Sequence, residues 1–255
     1  MPTGSRMSAL DLFVGRLDAR SQIGEAERDA LLALGGYPQR ISAHREFVRQ
    51  GDTVQDACLV VDGLVARFGQ LEDGSRQIIS LHIPGDVVDL YALMLSSAPS
   101  SLLALTNSTI LNVPLDALRG AAMTHQGLAT AFWRDCAADA AIVAQWLVNV
   151  GRKNARGRIA HLICEMAVRY AQIDELRGCS FPFPITQEQL ADALGLTSVH
   201  VNRSIKTLRQ DGVVQIARAG VTILDWKGLA SIGEFDSGYL NLPVPAGALE
   251  QACTR

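Results

Sequence analysis

Apolar residues near the N-terminus fall at Leu10, Phe13 and Leu17, and again at Ala30, Leu31 and Leu34. These three- and four-residue steps predict one or two short helices across residues 8–35. From residue 40 to 116 that period gives way to short apolar or alternating runs closed by turn residues. Phe47-Val48 precedes Gly51-Asp52, and residues 58–61 precede Asp62-Gly63. Residues 65–68 precede Glu72-Asp73-Gly74, and residues 77–83 lead into Pro84-Gly85-Asp86. Two further runs end at Asn107-Ser108 and Pro114. Short strands with such regular punctuation predict an antiparallel barrel or jelly roll.

After Pro114 no proline interrupts residues 115–150, and a helical period returns. Phe132, Cys136, Val143, Trp146 and Val150 form a narrow apolar seam, broken once at Asp139. Such seams pair helices side by side, so a dimer interface is expected there; packing of the large residues on the barrel is the alternative. Gly151 ends the helix and Asn154 is placed to cap the next, whose apolar face is Ile159, Leu162, Ile163, Met166 and Tyr170. Gly178, Pro182 and Pro184 mark a loop, and beyond about residue 234 the chain loses all period. A weakly ordered tail is expected there.

Residues 186–210 carry the clearest pattern. Thr186, followed by Glu188 and Gln189, has the character of a helix start, with an oxygen for orphan amides. Leu190, Ala191 and Leu194 give that helix its inner face, and Gly195 supplies a turn residue that tolerates positive φ. Thr197 can cap a second helix in which Val201, Ile205 and Leu208 face inward. Small, turn and buried aliphatic positions at this spacing predict a helix-turn-helix. Residues 213–217 and 221–224 around Ala219-Gly220 predict a β-hairpin wing.

The outer face of the second helix presents side chains suited to base edges: Ser198, Val199, His200, Asn202 and Arg203. Arg pairs with guanine, Asn with adenine, and Val lies against a thymine methyl. Thr186, Gln187, Thr197, Lys206, Arg209 and Arg218 are expected on phosphates, where they position the helix.

Charge qualifies this picture. The 255 residues contain 23 Lys and Arg against 26 Asp and Glu, a net −3. DNA binding therefore needs a local basic face. Cations thicken at Arg152, Lys153, Arg156 and Arg158, then at Arg203, Lys206, Arg209 and Arg218. Five cysteines without a C-x-x-C pair predict incidental thiols in a reducing cytoplasm, with neither a disulfide framework nor a metal site. No apolar run approaches the ~20 residues of a membrane span, and no secretion leader is expected. The motifs G-x-S-x-G and H-E-x-x-H and a lysine-bearing phosphate loop are all missing, so no enzyme is expected.

The Gly51-Asp52, Asp62-Gly63 and Gly85-Asp86 turns, the long helix and ITQEQLADALGLTSVHVNRSIKTLRQDG together resemble the CRP/FNR superfamily of bacterial regulators. The likeness spans about residues 10–230. It implies an α+β chain: an N-terminal antiparallel β jelly roll or barrel, a long central dimerisation helix and a C-terminal winged helix-turn-helix. The parts are expected at 8–116 (a cyclic-nucleotide-binding-like sensor barrel with its helices), 117–151, 152–232 and, as tail, 233–255. The resemblance further implies a cytoplasmic homodimer that binds a near-palindromic double-stranded operator and recruits or blocks RNA polymerase.

The departures narrow the mechanism. Cyclic-nucleotide sensors of the superfamily hold phosphate with a Gly-Glu pair and an Arg-Ser or Arg-Thr pair. The matching stretches here are Asp89-Leu90 and Pro99-Ser100-Ser101. Residues 87–114 contain no Lys, Arg or His, so a buried phosphodiester would lack a cation, and cyclic AMP or GMP is not expected. The oxygen-sensing branch carries N-terminal cysteines for an iron–sulfur cluster; here the first is Cys58, and no cluster is expected. His82 is expected to be barrel packing rather than a haem ligand, and Cys164 core rather than a redox sensor. No cofactor is expected, and the effector is left open. Many members carry Glu where this chain has Val199, so the operator should differ from theirs, while Arg203 matches the family's base-reading Arg. The competing reading is a barrel-containing ligand-binding signalling protein whose helix-turn-helix only binds a partner.

Overall fold

The computed structural model describes residues 8–173, 175–217 and 220–242. Arg218 and the tail positions 243–255 lie outside the described residues. The chain divides into two compact units, residues 1–68 with 81–137 and residues 69–80 with 138–255. The division falls inside the long helix rather than at either of its ends.

In the first unit, α1 (Ala9–Ser21) and α2 (Glu25–Leu32) form the expected pair of short helices. Ser8 starts α1 through a reciprocal cap: its hydroxyl accepts from the Asp11 amide at 3.1 Å, and the Asp11 carboxylate accepts from the Ser8 amide at 3.0 Å. Along the chain the strands β1 (Tyr37–Ile41), β2 (Arg45–Val48), β3 (Asp56–Asp62), β4 (Val65–Gln70), β5 (Arg76–His82), β6 (Ser101–Ala104) and β7 (Ser108–Pro114) follow, the end of β4 and most of β5 falling in the second unit. They form two sheets, in the orders β1-β7-β3 and β2-β6-β4-β5. The β1–β7, β3–β7, β2–β6 and β4–β6 pairings are antiparallel. Val60, Val65, Val88, Leu102 and Ile110 gather in the barrel core, each contributing about 1.5–3 kcal/mol by burial. The turn after β3 requires its glycine. Gly63 has φ +96°, and a Cβ there would lie 2.8 Å from Ser108 Cα.

Helix α3 (Leu115–Thr124) leads into α4 (Gln126–Arg152). Phe132 is only 2% exposed and stacks on Phe13 of α1 with ring centroids 6.3 Å apart. One turn on, the Asp135 carboxylate accepts from Arg16 Nε at 3.0 Å and from Arg20. Trp146, in the second unit, is also buried and donates its indole N–H to Glu165 at 2.9 Å. This corrects the expected dimer seam. Its two largest residues are core, and Cys136, Val143 and Val150 are half-buried. The exposed stripe runs one position over, at Trp133, Ala137, Ala140, Ala144, Leu147 and Gly151, in alternating steps of four and three. Bulk does not mark the open face: Phe132 and Trp146 fill the protomer, while Trp133 and Leu147 stand exposed among Ala137, Ala140 and Ala144.

The second unit continues with α5 (Ala155–Ala171), β8 (Ser180–Pro182), α6 (Gln187–Leu194), α7 (Ser198–Gln210), β9 (Val214–Ile216), β10 (Gly220–Ile223) and α8 (Trp226–Gly233). Asn154 caps α5 by accepting from the Gly157 amide at 2.9 Å. Besides its predicted apolar face, α5 buries His161, Glu165 and Arg169. Residues after α8 account for part of this. Tyr239 donates its hydroxyl to Glu165 at 2.8 Å, Phe235 meets the His161 ring edge-on, and Leu240 is fully buried. The expected weakly ordered tail is thus packed through Leu240, anchored by aromatic residues that show no period.

Burial, and next the Lys153 charge, pulls His161 down to about 4, so its ring is neutral at pH 7. Burial likewise raises Glu165. Cys58, Cys136 and Cys164 are free thiols. Burial pushes Cys58 and Cys164 up, away from reactive thiolate. Cys179, expected to be an incidental thiol, is disulfide-bonded. Among the described residues no cluster of His, Cys, Asp and Glu could hold a metal, and no helix is long and apolar enough to cross a membrane.

Candidate nucleic-acid interface

The interface begins with two helix caps that the local sequence dictates. Thr186 accepts from the Gln189 amide at 3.1 Å, and the Gln189 side chain accepts from the Thr186 amide at 2.9 Å. This reciprocal pair satisfies two otherwise orphaned donors of α6. Gly195 ends α6 at φ +59°, and Leu196 leads to Thr197, whose hydroxyl accepts from the His200 amide at 3.3 Å to start α7. Val201, Ile205 and Leu208 are buried as predicted, with Ser204 beside them.

That burial turns the opposite face of α7 outward. Ser198, Val199, His200, Asn202, Arg203, Lys206 and Arg209 are all exposed, Val199 by 75%. Asn202 Nδ2 donates to Gln187 Oε1 at 3.3 Å, so a residue expected on bases touches one expected on phosphates. Arg209 donates to the carbonyl of Ile216, tying the end of α7 to β9. In the wing, β10 pairs antiparallel with both β9 and β8. Sequence periodicity missed β8, because three residues between a glycine and prolines read as loop.

Three of the four residues in the first expected cation cluster are engaged by the fold. Lys153 donates to the carbonyls of Gly233 and Glu234, closing the end of α8. Arg156 pairs with Asp211 at 2.6 Å. Arg158 donates to the carbonyl of Leu194 at 2.8 Å and to that of Gly195 at 3.3 Å, satisfying orphan carbonyls of α6. Arg152 of that cluster stays exposed, and on α7 the basic surface consists of Arg203, Lys206 and Arg209, with Arg218 outside the described residues.

In the barrel, sequence reasoning missed a cation by searching only residues 87–114. Arg67 of β4 is buried, its guanidinium carbon 5.4 Å from the centroid of the Tyr91 ring. Its charge also acts on Asp89, which accepts the Cys58 amide at 2.7 Å and keeps a second oxygen buried without a hydrogen-bond partner. Burial lifts Asp89 to about 6. The signal available for Arg67 was its place two residues after Val65, on the same face of β4. His82 is buried 3.8 Å from Asp86, which itself pairs with Arg16.

Two family models match the chain in tandem: the cyclic nucleotide-binding domain over residues 38–125 and the Crp-like helix-turn-helix domain over residues 157–232. The chain is similar to the anaerobic regulatory protein of Haemophilus influenzae, with 24% identity over 90% of this chain and 89% of that protein. It is similar to the transcriptional activator protein FnrL of Cereibacter sphaeroides, with 28% identity over 84% of this chain and 87% of that one. Among solved structures it is similar to FixK2 from Bradyrhizobium japonicum, with a TM-score of 0.71, 23% identity, and coverage of 78% of this chain and 98% of that one. A cyclic-nucleotide-binding-like barrel, a long helix and a Crp-type helix-turn-helix, in that order along one chain, place it in the Crp/Fnr family.

Proposed function

We propose that this chain is a cytoplasmic homodimeric transcription regulator without catalytic activity, which reads a near-palindromic operator through α7. The observation that carries the reading is the exposed face of α7, capped by Thr197 and backed by Val201, Ile205 and Leu208. Ser198, Val199, His200, Asn202 and Arg203 meet base edges, with Arg203 on a guanine. Thr186, Gln187, Thr197, Lys206, Arg209 and Arg218 meet phosphates and fix register. The α4 stripe from Trp133 to Gly151 supports pairing of two copies, because its four- and three-residue steps form an exposed apolar seam that includes Trp133 and Leu147. RNA polymerase is the partner that such a dimer recruits or blocks.

In the barrel, Arg67 faces Asp89 and Tyr91, so a cyclic nucleotide's phosphate would compete with a carboxylate already present. We therefore assign no cyclic-nucleotide cofactor, and the scattered cysteines favour no iron–sulfur cluster. The salt dependence of operator binding tests the phosphate assignments. Lys206→Ala should weaken binding to every sequence and flatten the salt slope by about one. A loss confined to one base position would contradict that role.

A further inference from the structure

Within the second unit, α5, α6, α7 and the wing line a partly open pocket of about 190 Å³. Its inner wall is apolar and buried, with Ile163, Phe183, Leu190, Ile205 and Val221 each at most 6% exposed, while Gln187, Arg209 and Ala217 are exposed at its mouth. Folded domains pack densely and hold few voids larger than a water molecule. A closed apolar cavity of about 150 Å³ takes up benzene; the buried inner wall here is large enough for one aromatic ring, and the open, polar mouth leaves room for a small polar group.

The polar group is set by the lining. Arg209 is the only charged residue among the described residues around the cavity, and no carboxylate opposes it. Its contact with the Ile216 carbonyl uses one of five guanidinium N–H donors. Gln187, also on the lining, has its oxygen engaged by Asn202 and so presents its amide N–H side. Donors at the polar side and hydrocarbon elsewhere match an anion on an apolar body.

We infer that this cavity binds a single-ring aromatic carboxylate, with the ring against Ile163, Leu190 and Val221 and the carboxylate on Arg209. A ligand so placed would offset the Arg209 charge and occupy donors otherwise available to DNA phosphate, so it lowers operator affinity. That last clause rests on the DNA-binding reading; occupancy of the cavity does not.

Calorimetric titration of the full chain with benzoate, in the absence of DNA, tests the assignment. Benzoate should bind saturably at one site per chain, with benzyl alcohol at least about tenfold weaker. Arg209→Gln, a surface change that leaves the core alone, should weaken benzoate about tenfold, and Val221→Phe should abolish binding by filling the space. No saturable binding up to about 10 mM overturns the assignment, as does wild-type affinity in Arg209→Gln or in a folded Val221→Phe. If benzoate fails while operator binding persists, only the cavity assignment falls. If benzoate binds a chain that takes no operator, the DNA reading falls alone.

Discussion

Asp89 gives the barrel a pH-dependent term whose size follows from its surroundings. One carboxylate oxygen accepts from the Cys58 amide at 2.7 Å; the other is buried without a partner. Burial raises its pKa from 3.8 to about 6, against the lowering pull of Cys58 and Arg67. The unfolded chain sheds this proton near 3.8 and the folded chain near 6, so between these values the folded state holds more protons. Stability from this group is thus complete below 3.8 and is lost as pH climbs through about 6. At ~1.4 kcal/mol per pH unit, the loss is about 3 kcal/mol. Asp89→Asn keeps an acceptor for Cys58 and cannot ionise. Urea unfolding of both proteins from about pH 4 to pH 8, at matched concentration, isolates the effect because all other groups cancel in the difference. The variant should gain about 3 kcal/mol on the parent across that window. Two stability curves that run parallel would refute the burial argument.

Leu147→Glu places a charge in the middle of the exposed α4 stripe and should yield a folded monomer by sedimentation equilibrium; a dimer would show that pairing uses another face. Tyr239→Phe removes one of the donors to the buried Glu165 carboxylate and should lower unfolding free energy by about 1–3 kcal/mol. An unchanged urea midpoint would mean the packed segment after α8 adds nothing to α5.

Local chemistry made much of the fold legible. Thr186, Gly195 and Thr197 announce their caps and turn without help from tertiary contacts, and the Gly-Asp turns mark the strand ends. Helical period placed α4 but could not say which of two adjacent stripes faces outward. Phe132 finds Phe13 and Asp135 finds Arg16 more than a hundred positions away, and neither pairing leaves a local trace. The same limit applies to charge. Arg203 and Arg158 look alike along the chain, yet Arg158 is turned onto the carbonyls that end α6. In the barrel, the motif positions drew attention to residues 87–114, while the cation that meets Asp89 comes from β4. Ordered packing after α8 was invisible because it rests on single aromatic anchors rather than a repeat.

The most direct test of the α7 assignment is selection of bound sites from random DNA with the parent chain and with Arg203→Ala. The parent should recover a near-palindrome with one strongly preferred guanine in each half-site. The variant should keep the same spacing and lose preference at that guanine, at about 1–3 kcal/mol per contact. An identical preferred sequence from both proteins, or none from the parent, would contradict the account.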